Sequence, residues 1–321
     1  MKEWLKLVNP ATNRKIAVVG MGSVGASVAY ALMIAGLPTE LVLVDSNPAK
    51  AEGEAMDLSH AAAFIKPITI YNGSYSDCRN ADIIIFTAGA NQKPGEARLN
   101  LVQKNFATLK NCLSQMIPDG AKTILLMVSN PVDVLTYAAV KITGLPPERV
   151  IGSGTVLDSS RFRHEISRHC QVDARNVHAY VVGEHGDSEV LLWSLANIAG
   201  TGIEEFCALK SISSINREEV DYRVRNAAYA IISRKGATHY AISLAVRRIC
   251  ESILRDEHSI LTVSGLVNGT YGINNCCLSL PTVVKAKGRA NALALPLADE
   301  EERALRQSAE MLQGVVSKLG L

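Results

Sequence analysis

Residues 15–25 read KIAVVGMGSVG, and this stretch decides the predicted fold. Its first five residues are a short apolar run rich in valine and isoleucine, which is typical of a buried strand. The run ends in Gly20-Met21-Gly22-Ser23-Val24-Gly25 and continues into a helical pattern over 26–35. In the order strand, glycine turn, helix, the glycines permit a tight turn and let the backbone approach a pyrophosphate at the helix N-terminus.

An acidic residue makes this glycine motif specific. A second apolar run, 41–44, ends in Asp45, 20 residues after Gly25. At this place a carboxylate accepts hydrogen bonds from a ribose diol and repels a 2′-phosphate, so the sequence predicts NAD rather than NADP as cofactor. Capping of the following helix is the alternative role for Asp45.

The alternation of strand and helix patterns continues to about residue 152. Further strands are predicted over 68–71, 82–86, 123–128 and 150–151, and helices over 48–62, 97–117 and 132–143. Strands that are apolar on both faces and alternate with helices indicate an α/β fold with a parallel sheet covered by helices. We expect a doubly wound (Rossmann) dinucleotide-binding domain over 1–152, with its boundary near Gly152.

The second part of the chain, 153–321, has a different pattern. Long helical stretches are predicted over 217–235 and 238–255, β-like runs over 259–267 and 276–284, and a charged amphipathic helix over 299–318. We expect an α+β substrate domain that closes the cleft.

Composition narrows the class of partner. The chain has 321 residues, 48% of them hydrophobic, and a net charge of +2 from 33 basic and 31 acidic residues. Mixed charges argue against a nucleic-acid or membrane surface and favour a small-molecule ligand. Seven cysteines without a CxxC pair, no basic-then-apolar leader after Met1 and no long apolar run together predict a soluble cytoplasmic protein.

A histidine between glycines is the first candidate for catalysis. Residues 182–189 read VGEHGDSE and follow a β-rich run over 177–182. Glycines leave His185 uncrowded, and an imidazole gains and loses a proton near neutral pH. Without other motifs, a histidine in such a turn is more often structural.

Four further stretches carry polar residues suited to a ligand site. The loop 87–98, TAGANQKPGEAR, follows a predicted strand and can carry Gln92 and Arg98 over a ligand as a lid, or be a surface loop. In SNPVD (129–133), Asn130 precedes a proline, which biases it away from helical geometry, and the pair can also be a simple turn. In KGAT (235–238), Thr238 lies between two helices as a ligand contact or an N-cap.

The fourth stretch is LDSSRFR (157–163). Asp158 and Arg161 are three residues apart and share one helical face, as an ordinary ion pair or as a functional pair. Arg163 lies about 200° around the helix from Arg161, so the two arginines serve different surfaces.

Taken together, these motifs resemble the lactate and malate dehydrogenase superfamily, and more closely its bacterial L-lactate dehydrogenases. The resemblance covers nearly the whole chain in seven motifs that occur in the same order. It implies reversible hydride transfer between NAD and a 2-hydroxy acid, pyruvate to L-lactate, by a homotetramer without a metal.

The resemblance also implies roles for individual residues. His185 resembles the group that gives a proton to the pyruvate carbonyl oxygen, with Asp158 fixing its tautomer and raising its pKa. Arg161 resembles the bidentate clamp for the substrate carboxylate, and Arg98 the group that stabilises charge on the carbonyl oxygen. Asn130 and Thr238 match substrate-pocket positions. The positions that match the NAD site are Gly20, Met21, Gly22, Val24, Gly25, Asp45, Lys50, Tyr75, Thr87, Ala88, Gly89 and Asn130.

Gln92 sets the expected substrate. Malate enzymes carry an arginine at the matching position, which pairs with the second carboxylate of oxaloacetate. A neutral glutamine leaves that carboxylate unpaired, so pyruvate is expected, with malate dehydrogenase as the alternative if the adjacent Lys93 reaches a dicarboxylate.

Arg163 and His178 match an arginine and a histidine that line a subunit interface in fructose 1,6-bisphosphate-activated bacterial enzymes. Repulsion between two such cationic pairs, relieved by a bisphosphate, predicts allosteric activation of the tetramer. Ordinary interface ion pairs are the alternative.

Two classes of protein remain as rivals. Some NAD-dependent glycosidases share this fold but need a metal, and His164, His169 and Cys170 are badly spaced for one helix face. A non-catalytic binder is free to lose His185, Asp158 or Arg98, and this chain has all three.

Overall fold

A computed structural model describes residues 14–90 and 98–320, with the side chains of Arg98 and Leu99 outside the description. The first half alternates strands and helices. They are β1 (Lys15–Val19), α1 (Ser23–Ile34), β2 (Glu40–Val44), α2 (Pro48–His60), β3 (Thr69–Asn72), β4 (Ile83–Phe86), α3 (Arg98–Met116), β5 (Ile124–Met127), α4 (Val132–Thr143) and β6 (Val150–Gly152).

These six strands form a parallel sheet in the order β3-β2-β1-β4-β5-β6. The order reverses at β1, and at such a switch point the carboxyl ends of the strands leave a crevice for a ligand. The predicted doubly wound sheet is confirmed.

The sheet is buried on both faces because its strands alternate apolar residues toward two helical layers. Ile16 and Val18 of β1 face a core that includes α1 and α2, whereas Ala17 and Val19 face a core with α3 and α4. Ile83 to Phe86 are fully buried. This two-sided burial explains why the strands are continuous apolar runs.

The second half begins with α5 and short strands and ends with longer elements. They are α5 (Val156–Cys170), β7 (Val177–His178), β8 (Val181–Val182), β9 (Val190–Leu191), β10 (Asn197–Ile198), β11 (Thr201–Gly202), α6 (Ile203–Leu209), α7 (Arg217–Lys235), α8 (Tyr240–Leu254), β12 (Ser259–Val267), β13 (Cys276–Lys285), β14 (Gly288–Ala292) and α9 (Asp299–Ser317).

The long strands of the second half extend the first sheet. β12, β13 and β14 are antiparallel, and β12 joins β6 through the pair Ser264 and Gly152, which gives nine strands in all. A Cβ on Gly152 would lie 2.6 Å from Thr136 Oγ1 and 2.8 Å from Ser264 Cβ, so glycine permits this close approach. The two halves therefore share one sheet.

The β-rich run before His185 contains two short strands. β7 joins a three-stranded sheet with β10 and β11, while β8 pairs with β9. None of the helices within 14–90 and 98–320 is long and apolar enough to span a bilayer.

Candidate active site

The glycine turn after β1 forms a cradle at the carboxyl edge of the sheet. Gly20 has φ +100°, and a Cβ there would lie 2.6 Å from the Ala88 Cα. A Cβ on Gly25 would lie 1.9 Å from the Gly20 carbonyl oxygen. Gly22 is the N-cap of α1, which has no side-chain cap and no acidic residue in its first turn. This uncapped helix N-terminus fits the pyrophosphate of a dinucleotide.

Asp45 lies beside this turn at the end of β2. Its Oδ2 accepts the Met21 amide at 2.6 Å and its Oδ1 accepts the Asn47 amide at 2.9 Å. The N-cap of α2 is Asn47, so Asp45 does not cap that helix itself. A carboxylate has about four lone-pair positions, so capacity remains for ribose hydroxyls.

The other predicted cofactor positions lie around the same edge. The Thr87 hydroxyl donates to the Gly20 carbonyl at 2.7 Å, which ties the loop after β4 to the glycine turn. Lys50 is exposed on α2. Tyr75 is half-buried, and its hydroxyl accepts from the Cys112 thiol at 3.4 Å. That contact, burial and the nearby Asp45 raise the pKa of Tyr75 to about 12.

The structure brings His185, Asp158 and Arg161 together. His185 Nδ1 lies 2.5 Å from Asp158 Oδ2, and Arg161 donates to Asp158 Oδ1 at 2.7 Å. The Asp158 side chain is 1% exposed, whereas that of His185 is 23% exposed. Asp158 is thus both the i,i+3 ion-pair partner of Arg161 and the partner of the imidazole. The two predicted roles of this carboxylate, in a helical ion pair and beside a functional histidine, are therefore compatible.

This carboxylate controls the charge of the imidazole. Burial disfavours protonation, but the adjacent Asp158 outweighs it and raises the pKa of His185 to about 9. Burial also opposes ionisation of Asp158, and His185 and Arg161 together lower its pKa below the usual value. At neutral pH the ring is therefore protonated, with Nδ1 donating to Asp158 and Nε2 left as a proton donor.

Sequence reasoning missed Asp133, on the first turn of α4. It is 2% exposed, and its Oδ2 accepts the main-chain amide of His185 at 2.8 Å. Burial raises the pKa of Asp133 to about 6, against the effects of the Ser264 hydroxyl and the His185 amide. The available signal was an acidic residue in the otherwise apolar start of a helix, VDVLTYAA.

Glu189, at the end of VGEHGDSE, was also missed. It is 4% exposed, and its Oε1 has no hydrogen-bond partner within the described residues. Burial and the charge of Asp158 raise the pKa of Glu189 to about 8, although His185 and Arg161 oppose them. Its carboxyl group is therefore mostly uncharged at neutral pH.

Asn130 and Thr238 each lie two residues before the start of a helix. Asn130 is exposed directly after β5, and the Asn130–Pro131 bond is cis. Thr238 is half-buried just before α8, whose N-cap is His239, so the interpretation of Thr238 as the cap is wrong. His239 Nδ1 lies 2.8 Å from Ser27 Oγ, and this contact places the turn against α1.

Two predicted substrate residues are not placed. Gln92, with Lys93, lies outside the described residues. Arg98 is the first residue of α3, and nothing is described of its side chain.

Arg163, on α5, contacts the main chain next to His178. Arg163 Nε donates to the Ala179 carbonyl at 3.3 Å, and its guanidinium lies 5.9 Å from the Tyr180 ring centroid. His178 is exposed on β7. Arg161 contacts Asp158 instead, so the two arginines face different surroundings.

No group of three or more His, Cys, Asp or Glu side chains that could hold a metal ion occurs among residues 14–90 and 98–320.

Comparisons with known proteins identify the family of this chain. Residues 14–152 match the family model of the lactate/malate dehydrogenase NAD binding domain, and residues 155–319 match the model of the lactate/malate dehydrogenase alpha/beta C-terminal domain. The L-lactate dehydrogenase of Acetivibrio thermocellus is 51% identical over 96% of this chain and 98% of the relative. That of Thermoanaerobacter sp. is 52% identical over 96% and 99%.

Solved structures give the same result. A lactate dehydrogenase from a Medee basin deep-sea metagenome library superposes with a TM-score of 0.92 at 43% identity, over 97% of this chain and 100% of that chain. The minor L-lactate dehydrogenase of Enterococcus mundtii has a TM-score of 0.92 at 40% identity, over 96% and 99%. The chain therefore belongs to the lactate/malate dehydrogenase family of NAD-dependent oxidoreductases.

Proposed function

We propose that this protein is an L-lactate dehydrogenase that reversibly reduces pyruvate to L-lactate, with His185 as the acid and base. The observation that carries the proposal is the contact of His185 with buried Asp158, which in turn contacts Arg161, in a chain with an NAD-binding domain. The names of the relatives support the choice of substrate.

The chemistry follows from the arrangement. NADH, when bound, supplies a hydride to the carbonyl carbon. His185 gives its Nε2 proton to the carbonyl oxygen, which leaves L-lactate and a neutral imidazole. Asp158 keeps the proton on Nδ1, so the ring presents Nε2 to the substrate throughout. In lactate oxidation the neutral Nε2 takes the hydroxyl proton back.

Positively charged and polar groups would bind the substrate anion. One nitrogen of Arg161 donates to Asp158, and the remaining donors of its planar fork suit a carboxylate. By family resemblance, Arg98 stabilises charge on the carbonyl oxygen, while Gln92, Asn130 and Thr238 complete the pocket. The neutral Gln92 selects pyruvate over oxaloacetate.

The cofactor contacts form part of the proposal. Asp45 would accept the adenosine ribose hydroxyls, and the turn from Gly20 to Gly25 would hold the pyrophosphate. Lys50, Tyr75 and residues 87–89 would line the rest of the groove, with Asn130 at the nicotinamide end. The family models end at 152 and resume at 155, which supports a domain boundary near Gly152.

A steady-state assay tests the substrate. We expect the kcat/KM for NADH-dependent reduction of pyruvate to exceed that of oxaloacetate by about 100-fold or more, because a buried unpaired carboxylate is costly. A panel of longer 2-oxo acids completes the assay. Comparable turnover of oxaloacetate would contradict the choice, and no turnover of any 2-oxo acid would favour a non-catalytic NAD binder.

We also propose a homotetramer activated by fructose 1,6-bisphosphate. Arg163 contacts the main-chain carbonyl of Ala179, next to exposed His178, and this proximity supports a shared phosphate-binding surface. The bisphosphate should lower the half-saturating pyruvate concentration of the unmodified enzyme, and Arg163→Gln should weaken this response. An unchanged half-saturation at both pH 6 and pH 8 would exclude the activation.

All seven cysteines are unpaired and buried, which supports the expected cytoplasmic location.

A further inference from the structure

Asn105, on α3, connects the two loops that follow β4 and β5. It is 2% exposed. Its Oδ1 accepts the Ala90 amide at 2.8 Å, and its Nδ2 donates to the Ala90 carbonyl at 3.3 Å and to the Asn130 carbonyl at 2.8 Å. Three of the four hydrogen bonds that a primary amide can make are thus directed at these two residues.

Both loops leave the carboxyl edge of the sheet from adjacent parallel strands. Residues 87–89 and Asn130 are positions proposed above for the cofactor groove, with Asn130 at its nicotinamide end. The Ser129 hydroxyl adds a second link between the same loops, since it donates to the Ala88 carbonyl at 2.6 Å. The spacing between these loops is therefore set by side chains as well as by the sheet.

The chemistry of the contact is specific to asparagine. Aspartate accepts but does not donate when ionised, so its carboxylate would face the Asn130 and Ala90 carbonyls. Alanine makes none of the three bonds. The backbone packs closely on this amide, because a Cβ added to Gly89 would lie 3.2 Å from Asn105 Oδ1.

We propose that Asn105 is a positioning residue for hydride transfer. Its amide holds Asn130 and Ala90 at the spacing that the reacting ends of cofactor and substrate require. This inference rests on the proposed function, because it assigns the nicotinamide end of the groove to these loops. Asn105 acts through Asn130 and Ala90.

Asn105→Asp and Asn105→Ala test the inference by rapid mixing of the enzyme–NADH complex with saturating pyruvate. The rate constant of the first turnover reports positioning, and its amplitude reports the fraction of correctly folded enzyme. At pH 8 we expect Asn105→Asp to lower the rate constant about tenfold or more and Asn105→Ala to lower it less, because alanine places no buried charge against the carbonyls.

Acid pH supplies a rescue that a purely structural role would not show. A protonated carboxyl can accept from the Ala90 amide and donate to the Asn130 carbonyl. The rate constant of Asn105→Asp should therefore recover toward that of the unmodified enzyme between pH 8 and pH 5.5, whereas Asn105→Ala should not recover. Asn274→Asp, which removes an exposed side-chain bond to the Gly272 carbonyl, is the matched control.

The outcomes separate the two proposals. Rate constants within twofold of the unmodified enzyme, with only the amplitudes reduced, would overturn the positioning role. If Asn105→Asp does not fold, Asn105→Ala alone decides between rate constant and amplitude. If the unmodified enzyme does not reduce pyruvate, the proposed substrate fails. Asn105 is then tested by the NADH dissociation constant, which we expect both variants to raise at least fivefold. An unchanged dissociation constant would refute the positioning role of Asn105.

Discussion

Asp133 accepts the main-chain amide of His185 at 2.8 Å, although the two residues are 52 positions apart in sequence. Asp158 binds the ring of the same histidine at 2.5 Å. His185 is therefore held by two buried carboxylates, one on its backbone and one on its side chain. The first fixes where the residue lies, and the second fixes where its proton lies.

Asp133→Asn should separate position from charge. The amide oxygen still accepts the His185 N–H, but the negative charge that helps to raise the pKa of His185 is lost. We expect kcat for pyruvate reduction at pH 6.5 to stay within about threefold of that of the unmodified enzyme. The alkaline limb of its pH profile should shift to lower pH by about half a pH unit. Asp119→Asn, at an exposed position, is the control. An unmoved limb would contradict the electrostatic role of Asp133.

The pKa of His185 predicts opposite pH profiles for the two directions of the reaction. Pyruvate reduction needs the protonated ring, so its kcat/KM should be level at neutral pH and fall about tenfold per pH unit above about pH 9. Lactate oxidation needs the neutral ring, so its kcat/KM should rise about tenfold per pH unit up to about pH 9 and then level off. His185→Asn should lower kcat by about 10³-fold and remove both dependences, with NADH affinity nearly unchanged. An identical pH profile in this variant would exclude His185 as the titrating group.

Asp45→Asn should relax the choice of cofactor. The neutral side chain can still accept the Met21 amide, but it no longer repels a 2′-phosphate. We expect kcat/KM to fall with NADH and rise with NADPH, so that their ratio changes by about tenfold or more. Asp57→Asn, the same change at an exposed position on α2, should leave the ratio unchanged. A constant ratio in Asp45→Asn would remove Asp45 from the selection.

Glu189→Gln should stabilise the protein at alkaline pH. Because burial raises the pKa of Glu189 to about 8, the folded state binds this proton more tightly than the unfolded chain does. The contribution of this bound proton to the free energy of unfolding is fully present at low pH and is lost as pH rises from about 4.5 through about 8. At pH 8.5 the free energy of unfolding of the variant, measured by urea denaturation, should therefore exceed that of the unmodified protein by on the order of 1–2 kcal/mol.

At pH 4.5 the difference in the free energy of unfolding should be small. Glu205→Gln, at an exposed position, should show no such pH dependence. An equal gain for Glu189→Gln at both pH values would mean that ionisation of Glu189 is not the cause.

Most of the fold could be predicted from the sequence because the patterns that indicate each strand, turn and helix are local. The glycine turn, the apolar strands and the amphipathic helices each appear within about 20 residues, and the structure has them at nearly the expected places. The sharing of one sheet by the two halves depends on a contact between Gly152 and Ser264, which no local pattern encodes. For the same reason the β-rich character of the run over 177–182 could be recognised from sequence, whereas the pairing of its two ends with different sheets could not.

The candidate site shows the same division. His185, Asp158 and Arg161 were found because each lies in a short motif with a recognisable chemistry. Asp133, Glu189 and Asn105 were not, because their importance comes from burial against distant backbone or charge. An acidic residue or an asparagine inside a helix looks like a surface residue until its neighbours across the fold are known.

The pairing of β12 with β6 has a mechanical consequence. Since the cofactor half and the His185 half meet in one sheet through the pair Ser264 and Gly152, rotation of either half as a separate body would break this strand pairing. Conformational adjustment that keeps this pairing is confined to segments outside the shared sheet, such as the loops at its carboxyl edge. If the chain were divided between β6 and β12, each fragment would carry an exposed strand edge that only the other fragment covers correctly.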